Sequence, residues 1–152
     1  MRVAVLVTAV LFLACAGAEV DVHEALEKEV IQMPGSLEGL PFSSAVRVGD
    51  MLFLSGQIGT LPGTRDLAPG GVAAEARQTL ENIKAVLEYS GSSMDRVVKC
   101  TVFLLDINDY AAVNEVYATY FPTDPPARSA FAATGLALGS QVEIECFALA
   151  GQ

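Results

Sequence analysis

Arg128 stands directly after Pro125-Pro126-Ala127, at the head of a strand-like run. Glu143 and Glu145 alternate with Val142, Ile144 and Cys146 a hairpin's length later. The prolines fix an extended approach and hold the preceding backbone out of the helical region. Arginine is the side chain best suited to grip a carboxylate through two parallel hydrogen bonds, and a glutamate beside such a grip can move protons. A period of two puts Glu143 and Glu145 on one face of their strand. We expect that face to be the reactive one, with Glu143 close to whatever Arg128 holds. The chemistry implied is acid–base work on a small molecule that carries a carboxylate.

The elements that must position these groups follow from the periodicity. Residues 21–28 are charged and weakly helical, a lead-in to a first strand over residues 29–33, and residues 34–41 form a loop with two prolines and two glycines. Val46-Arg47-Val48 and residues 51–55 flank Gly49-Asp50, and glycine at the first position of a two-residue connection predicts a tight hairpin. Residues 59–71 hold four glycines and two prolines and form a loop. Over residues 72–90, Ala76, Leu80, Ile83 and Leu87 recur at helical spacing and Gly91 supplies the stop. Residues 97–105 predict a strand with Lys99, Thr101 and Phe103 on one face and Val98, Cys100, Val102 and Leu104 on the other. A second helix starts near Asn108 or Asp109, carries Val113, Val116, Tyr117, Tyr120 and Phe121 on one stripe, and stops at Pro122.

Two helices are too few to cover both faces of the sheet, so both are expected on one side. The open side would carry Lys99, Thr101, Phe103, Gln141, Glu143, Glu145 and Phe147, too apolar for free solvent and too charged for a core. Such a face predicts a subunit interface with polar sites inside it.

The bulk numbers bound the partners. The 152 residues are one domain's worth, with 52% hydrophobic and 18% charged. A net charge of -9 is opposed to nucleic-acid binding, which needs clustered Lys and Arg. With His23 as the one histidine and no ligand-like cysteine spacing, no zinc or iron site is expected. Arg2, the short apolar run over residues 3–14 and Ala16-Gly17-Ala18 before Glu19 predict a signal peptide over residues 1–18 and an exported protein. Residues 19–28 are then a flexible lead-in and residues 29–152 the domain. Removing the leader takes Cys15 and leaves Cys100 and Cys146, each in an apolar strand run. Buried free thiols are the expectation, and a disulfide would need their Cα atoms within about 7 Å, which the sequence does not determine.

Ser55-Gly56-Gln57-Ile58, Glu81-Asn82-Ile83-Lys84-Ala85-Val86-Leu87, Val97-Val98-Lys99-Cys100-Thr101-Val102-Phe103-Leu104, Val113-Asn114-Glu115-Val116-Tyr117, Pro125-Pro126-Ala127-Arg128-Ser129 and Val142-Glu143-Ile144-Glu145, in this order and spacing, resemble the RidA (YjgF) family from about Val30 to Ala148. The resemblance implies a single α+β domain with a mixed sheet and two helices, of the chorismate-mutase-like type, assembled as a homotrimer with three clefts between subunits. It implies hydrolysis of reactive 2-imino and enamine acids, such as 2-iminopropanoate and 2-iminobutanoate, to 2-oxo acids and ammonia, with no metal or organic cofactor. Arg128 matches the arginine that grips the substrate carboxylate and Glu143 the glutamate that works with the attacking water. Asn114, Gly56 and Ala130 match cleft positions, Ala130 where some members have cysteine. Phe42 stands where many active members have tyrosine, so a hydroxyl that helps place water is missing. That departure and the leader leave a second reading, a carboxylate-binding or chaperone-like trimer without turnover. A ribonuclease, an activity sometimes ascribed to the family, is opposed by the charge.

Overall fold

In the computed structural model, residues 27–36 and 39–151 are described. The expected leader and all but the end of the lead-in lie outside them. Strand β1 (Lys28–Ile31) starts one residue earlier than its alternation suggested, so Lys28 belongs to the sheet and not to the lead-in. Strands β2 (Ala45–Val48) and β3 (Met51–Leu54) form the expected hairpin, with Val48 opposite Met51. Gly49 sits between them at φ 56°, a left-handed backbone that a side chain would strain. A two-residue strand β4 (Gln57–Ile58) follows.

Helix α1 (Val72–Tyr89) buries Ala76, Leu80, Ile83 and Leu87, the stripe its spacing marked. Glu75 in its first turn suits the positive end of the helix dipole. Strand β5 (Val97–Leu104) leads, through a short turn capped by Asp106, to helix α2 (Tyr110–Tyr120). Val113, Val116 and Tyr117 of α2 are buried, and Pro122 prevents the helix from continuing. Strands β6 (Ala127–Ala132) and β7 (Val142–Leu149) complete the sheet.

The sheet order is β1-β2-β3-β7-β5-β6, with β4 paired to β7. Every pairing is antiparallel except β5 with β6, which α2 connects. Both helices pack on one face, where Leu52, Leu54, Val102, Leu104, Val142 and Ile144 meet them in a single core. The fold is thus the expected mixed α+β domain with two helices on one side of the sheet. The opposite face presents the aromatic pairs Phe53–Phe147 and Phe103–Phe131, with ring centroids 5.3 and 5.0 Å apart.

Two expectations fail here. Val98 does not join the core face of β5, because the pairing with β7 slips between Val97 and Lys99 and leaves Val98 exposed. Such a bulge adds a residue to one strand and breaks strict alternation. Cys100 and Cys146 are not free thiols: they are opposite one another in the β5–β7 register, with Cα atoms 4.1 Å apart, and are joined in a disulfide. The cross-link depends on a register between strands 46 residues apart, which the local pattern does not encode. Replacing both cysteines by alanine is expected to lower unfolding stability by about 2–4 kcal/mol in a denaturant titration. An unchanged midpoint would show that the cross-link adds nothing to this sheet.

Candidate functional site

The chain carries two polar groupings on different sides of the sheet. The first is built on β6 and α2. Arg128 pairs with Cys100 in the parallel β5–β6 register, so its side chain shares the helix-covered side with the disulfide. There Nη2 of Arg128 donates to Oδ1 of Asn114 at 2.6 Å and to the hydroxyl of Tyr110 at 3.0 Å. The guanidinium carbon lies 4.7 Å from the centre of the Tyr117 ring and 5.4 Å from that of Tyr110, within the range of cation–π attraction. Tyr110, Asn114 and Tyr117 follow one another at spacings of four and three, so a single stripe of α2 supplies all three partners. Ala130, two residues along β6 and paired with Val102, lies on the same side against the core.

These contacts set the charge state of the neighbours. The hydrogen bond from Arg128 holds the Tyr110 phenol below the ordinary tyrosine range, helped by Asn114 and by the guanidinium charge. Burial pushes the Tyr117 phenol up to about 12, against the pull of Arg128. Tyr117 therefore stays neutral and serves Arg128 as a ring face.

The second grouping is built on the β3–β4 connection and β7. Ile58 pairs with Glu143 and Gln57 with Ile144, which draws Gly56 against the Glu143 carboxylate. Asn82 of α1 holds the end of β4 and the loop after it in place, its amide donating to the carbonyls of Ile58 at 3.0 Å and Thr60 at 2.9 Å. A Cβ at Gly56 would overlap Oε1 of Glu143, the movable end of that side chain, so glycine is what lets the carboxylate occupy this position. Burial raises the Glu143 pKa and the neighbouring Glu145 carboxylate raises it further. Gly56→Ala is expected to displace the Glu143 side chain and reduce any activity that uses it by tenfold or more, because small misplacements of a reacting group are costly. A melting curve and a rate measured on the same sample would check it, and a parent-like rate would separate Gly56 from the chemistry.

Phe42 is 56% exposed and lines a groove of about 510 Å³ together with Gly56, Leu40, Leu61 and Leu138. It is an apolar wall in this subunit.

The structure therefore brings Arg128 to Asn114, and Gly56 to Glu143 and Phe42. It does not bring Arg128 to Glu143. Arg128 is in register with Cys100 on the helix-covered side, whereas Glu143 is in register with Phe103, three residues on and so on the opposite face. The expectation of one shared face fails within the subunit, because alternation fixes sides along a strand but says nothing about which side a different strand presents. The periodicity marks Tyr117 as core and leaves Tyr110 unmarked, so neither is expected beside Arg128. The helical spacing of Tyr110, Asn114 and Tyr117 was the available signal.

Residues 36–150 match the family described as endoribonuclease L-PSP. The 2-iminobutanoate/2-iminopropanoate deaminase of Mus musculus is 46% identical over 111 residues, covering 73% of this chain and 82% of the mouse protein. The crystal structure of RidA from the Antarctic bacterium Psychrobacter sp. PAMC 21119 superposes with a TM-score of 0.74 at 38% identity, covering 80% of this chain and 98% of the other. That of E. coli TdcF with bound serine gives a TM-score of 0.73 at 36% identity, covering 80% and 98%. The matched residues contain both polar groupings and every element of the sheet but β1, and the chain belongs to the endoribonuclease L-PSP family, which is the RidA (YjgF) family.

Proposed function

We propose that this chain hydrolyses 2-imino acids and their enamine tautomers to 2-oxo acids and ammonia, in a homotrimer whose clefts join the Arg128 grouping of one subunit to the Gly56–Glu143 grouping of the next. The observation that carries this reading is Arg128: a guanidinium held from one side by Asn114 and Tyr110 and supported by the Tyr117 ring, ready to take a small carboxylate. The deaminase name of the mouse relative, and the serine in TdcF, itself a small carboxylate, point the same way.

In this mechanism Arg128 fixes the carboxylate and so places the adjacent C=N carbon. Water adds to that carbon and gives a proton to Glu143, which passes one to the departing amine. The raised pKa of Glu143 brings its proton exchange closer to neutral pH. General acid–base help is worth about 10² to 10⁴ in rate, enough for a substrate that already hydrolyses unaided. The net charge of -9 opposes the binding of RNA that the family's description suggests.

The trimer is supported by the open face of the sheet, where Phe53 and Phe131 remain 40% and 49% exposed despite their aromatic partners. The proposed leader at residues 1–18 would carry the protein out of the cytosol, and the Cys100–Cys146 disulfide suits an oxidising compartment. Turnover of freshly generated 2-iminopropanoate, with light scattering on the same preparation, tests the function. Turnover by a trimer is expected; binding of 2-oxo acids without turnover would leave a carboxylate-binding protein, and a monomer would remove the shared cleft. For export, the expected intact mass of natively produced material begins at Glu19. A full-length mass in the cytosolic fraction overturns it.

A further inference from the structure

We propose that the Tyr110 hydroxyl is a direct substrate contact, donating its proton to the carboxylate that Arg128 holds. This rests on the carboxylate-binding reading of Arg128 given above. A guanidinium offers five N–H groups in a rigid fork, and both of its two-pronged edges include Nη2: one with Nη1, the other with Nε. In this structure Nη2 is engaged twice, by Asn114 and by Tyr110. A carboxylate that docked on Arg128 alone, through either edge, would have to displace one of them. One that took a remaining Arg128 N–H with one oxygen and the Tyr110 O–H with the other would displace neither.

The remaining groups fit that arrangement. Among the described residues, Nε and Nη1 of Arg128 make no hydrogen bond and neither is buried. The Tyr110 oxygen spends a lone pair on Arg128, which leaves its own proton as a donor, and among the described residues no acceptor takes it. Tyr110 is 42% exposed, open to a molecule approaching the guanidinium, whereas Tyr117 beneath it is 6% exposed and presents only its ring. Donation from Arg128 into the phenol oxygen also makes its O–H a stronger donor, since linked hydrogen bonds polarise one another. Arg128 and Tyr110 thus form a composite clamp, with cation and neutral donor on adjacent positions.

Tyr110→Phe tests this, because it keeps the ring beside Arg128 and removes only the hydroxyl. The binding of 2-oxobutanoate, followed by calorimetry, should weaken by about tenfold, the worth of one hydrogen bond to a charged group. KM for 2-iminopropanoate should rise by a similar factor while kcat changes by less than about threefold, the pattern of a lost uniform binding contact. Binding of the uncharged amide analogue should respond less, because its carbonyl is a weaker acceptor than a carboxylate oxygen. Parent-like affinity in Tyr110→Phe overturns the proposal, and so does tighter binding, which would mean that the hydroxyl occupies the fork and competes with substrate. A loss confined to kcat would also overturn it. If the parent protein itself neither binds 2-oxobutanoate nor turns over 2-iminopropanoate, the failure lies with the underlying reading of Arg128, and the two failures are told apart in the first control.

Discussion

Arg128→Lys is expected to lower kcat/KM for 2-iminopropanoate by about a hundredfold while leaving the unfolding midpoint within a degree or two of the parent. Charge is conserved, so the loss isolates geometry. Lysine carries a compact ammonium with three rotating donors, and it cannot hold Asn114 and Tyr110 while keeping a further N–H fixed in the same plane for a carboxylate. One hydrogen bond to a charged group costs about 1.5–3 kcal/mol when lost, which is the source of the factor. Steady-state rates with the imino acid generated in the cuvette are the measurement. A parent-like kcat/KM would show that positive charge alone suffices and that the α2 scaffold around the guanidinium is incidental.

Glu143→Gln is expected to fail differently. The amide keeps the shape beside Gly56 and can still hydrogen-bond water, but it cannot exchange a proton near neutral pH, so kcat falls by about 10² to 10⁴ while 2-oxo acid affinity is retained. The proposed mechanism uses ionised Glu143, so the parent rate is expected to fall on acidification through the Glu143 pKa. Burial, then the Glu145 charge, set that pKa above the usual value. Glu145→Gln removes the second cause, and the acid limb of its pH–rate profile should move to lower pH. An unmoved limb would mean that another group controls the profile.

Much of the scaffold was legible because its signals are local. Ala76, Leu80, Ile83 and Leu87 mark α1 at helical spacing, and Gly49 marks the hairpin through a backbone angle that other residues resist. What escaped depends on distant strands meeting. The partnership of Cys100 with Cys146, the slip that exposes Val98 and the opposite-face placement of Arg128 and Glu143 are all consequences of register, which nothing within either strand determines. The Arg128 grouping was half legible. Arg128 and Asn114 stand in distinctive motifs, whereas Tyr110 and Tyr117 look like ordinary apolar-stripe residues until the guanidinium is seen between them.

The placement of Arg128 and Glu143 on opposite faces has a genetic consequence in the proposed trimer. A subunit lends Arg128 to one cleft and Glu143 to another, so a lesion in either residue silences one cleft and spares the other two. Such alleles behave additively and do not poison their neighbours. An allele lacking Arg128 and an allele lacking Glu143, each inactive alone, can meet in mixed assemblies where the intact arginine of one product faces the intact glutamate of the other. The two defective copies then complement within a single gene.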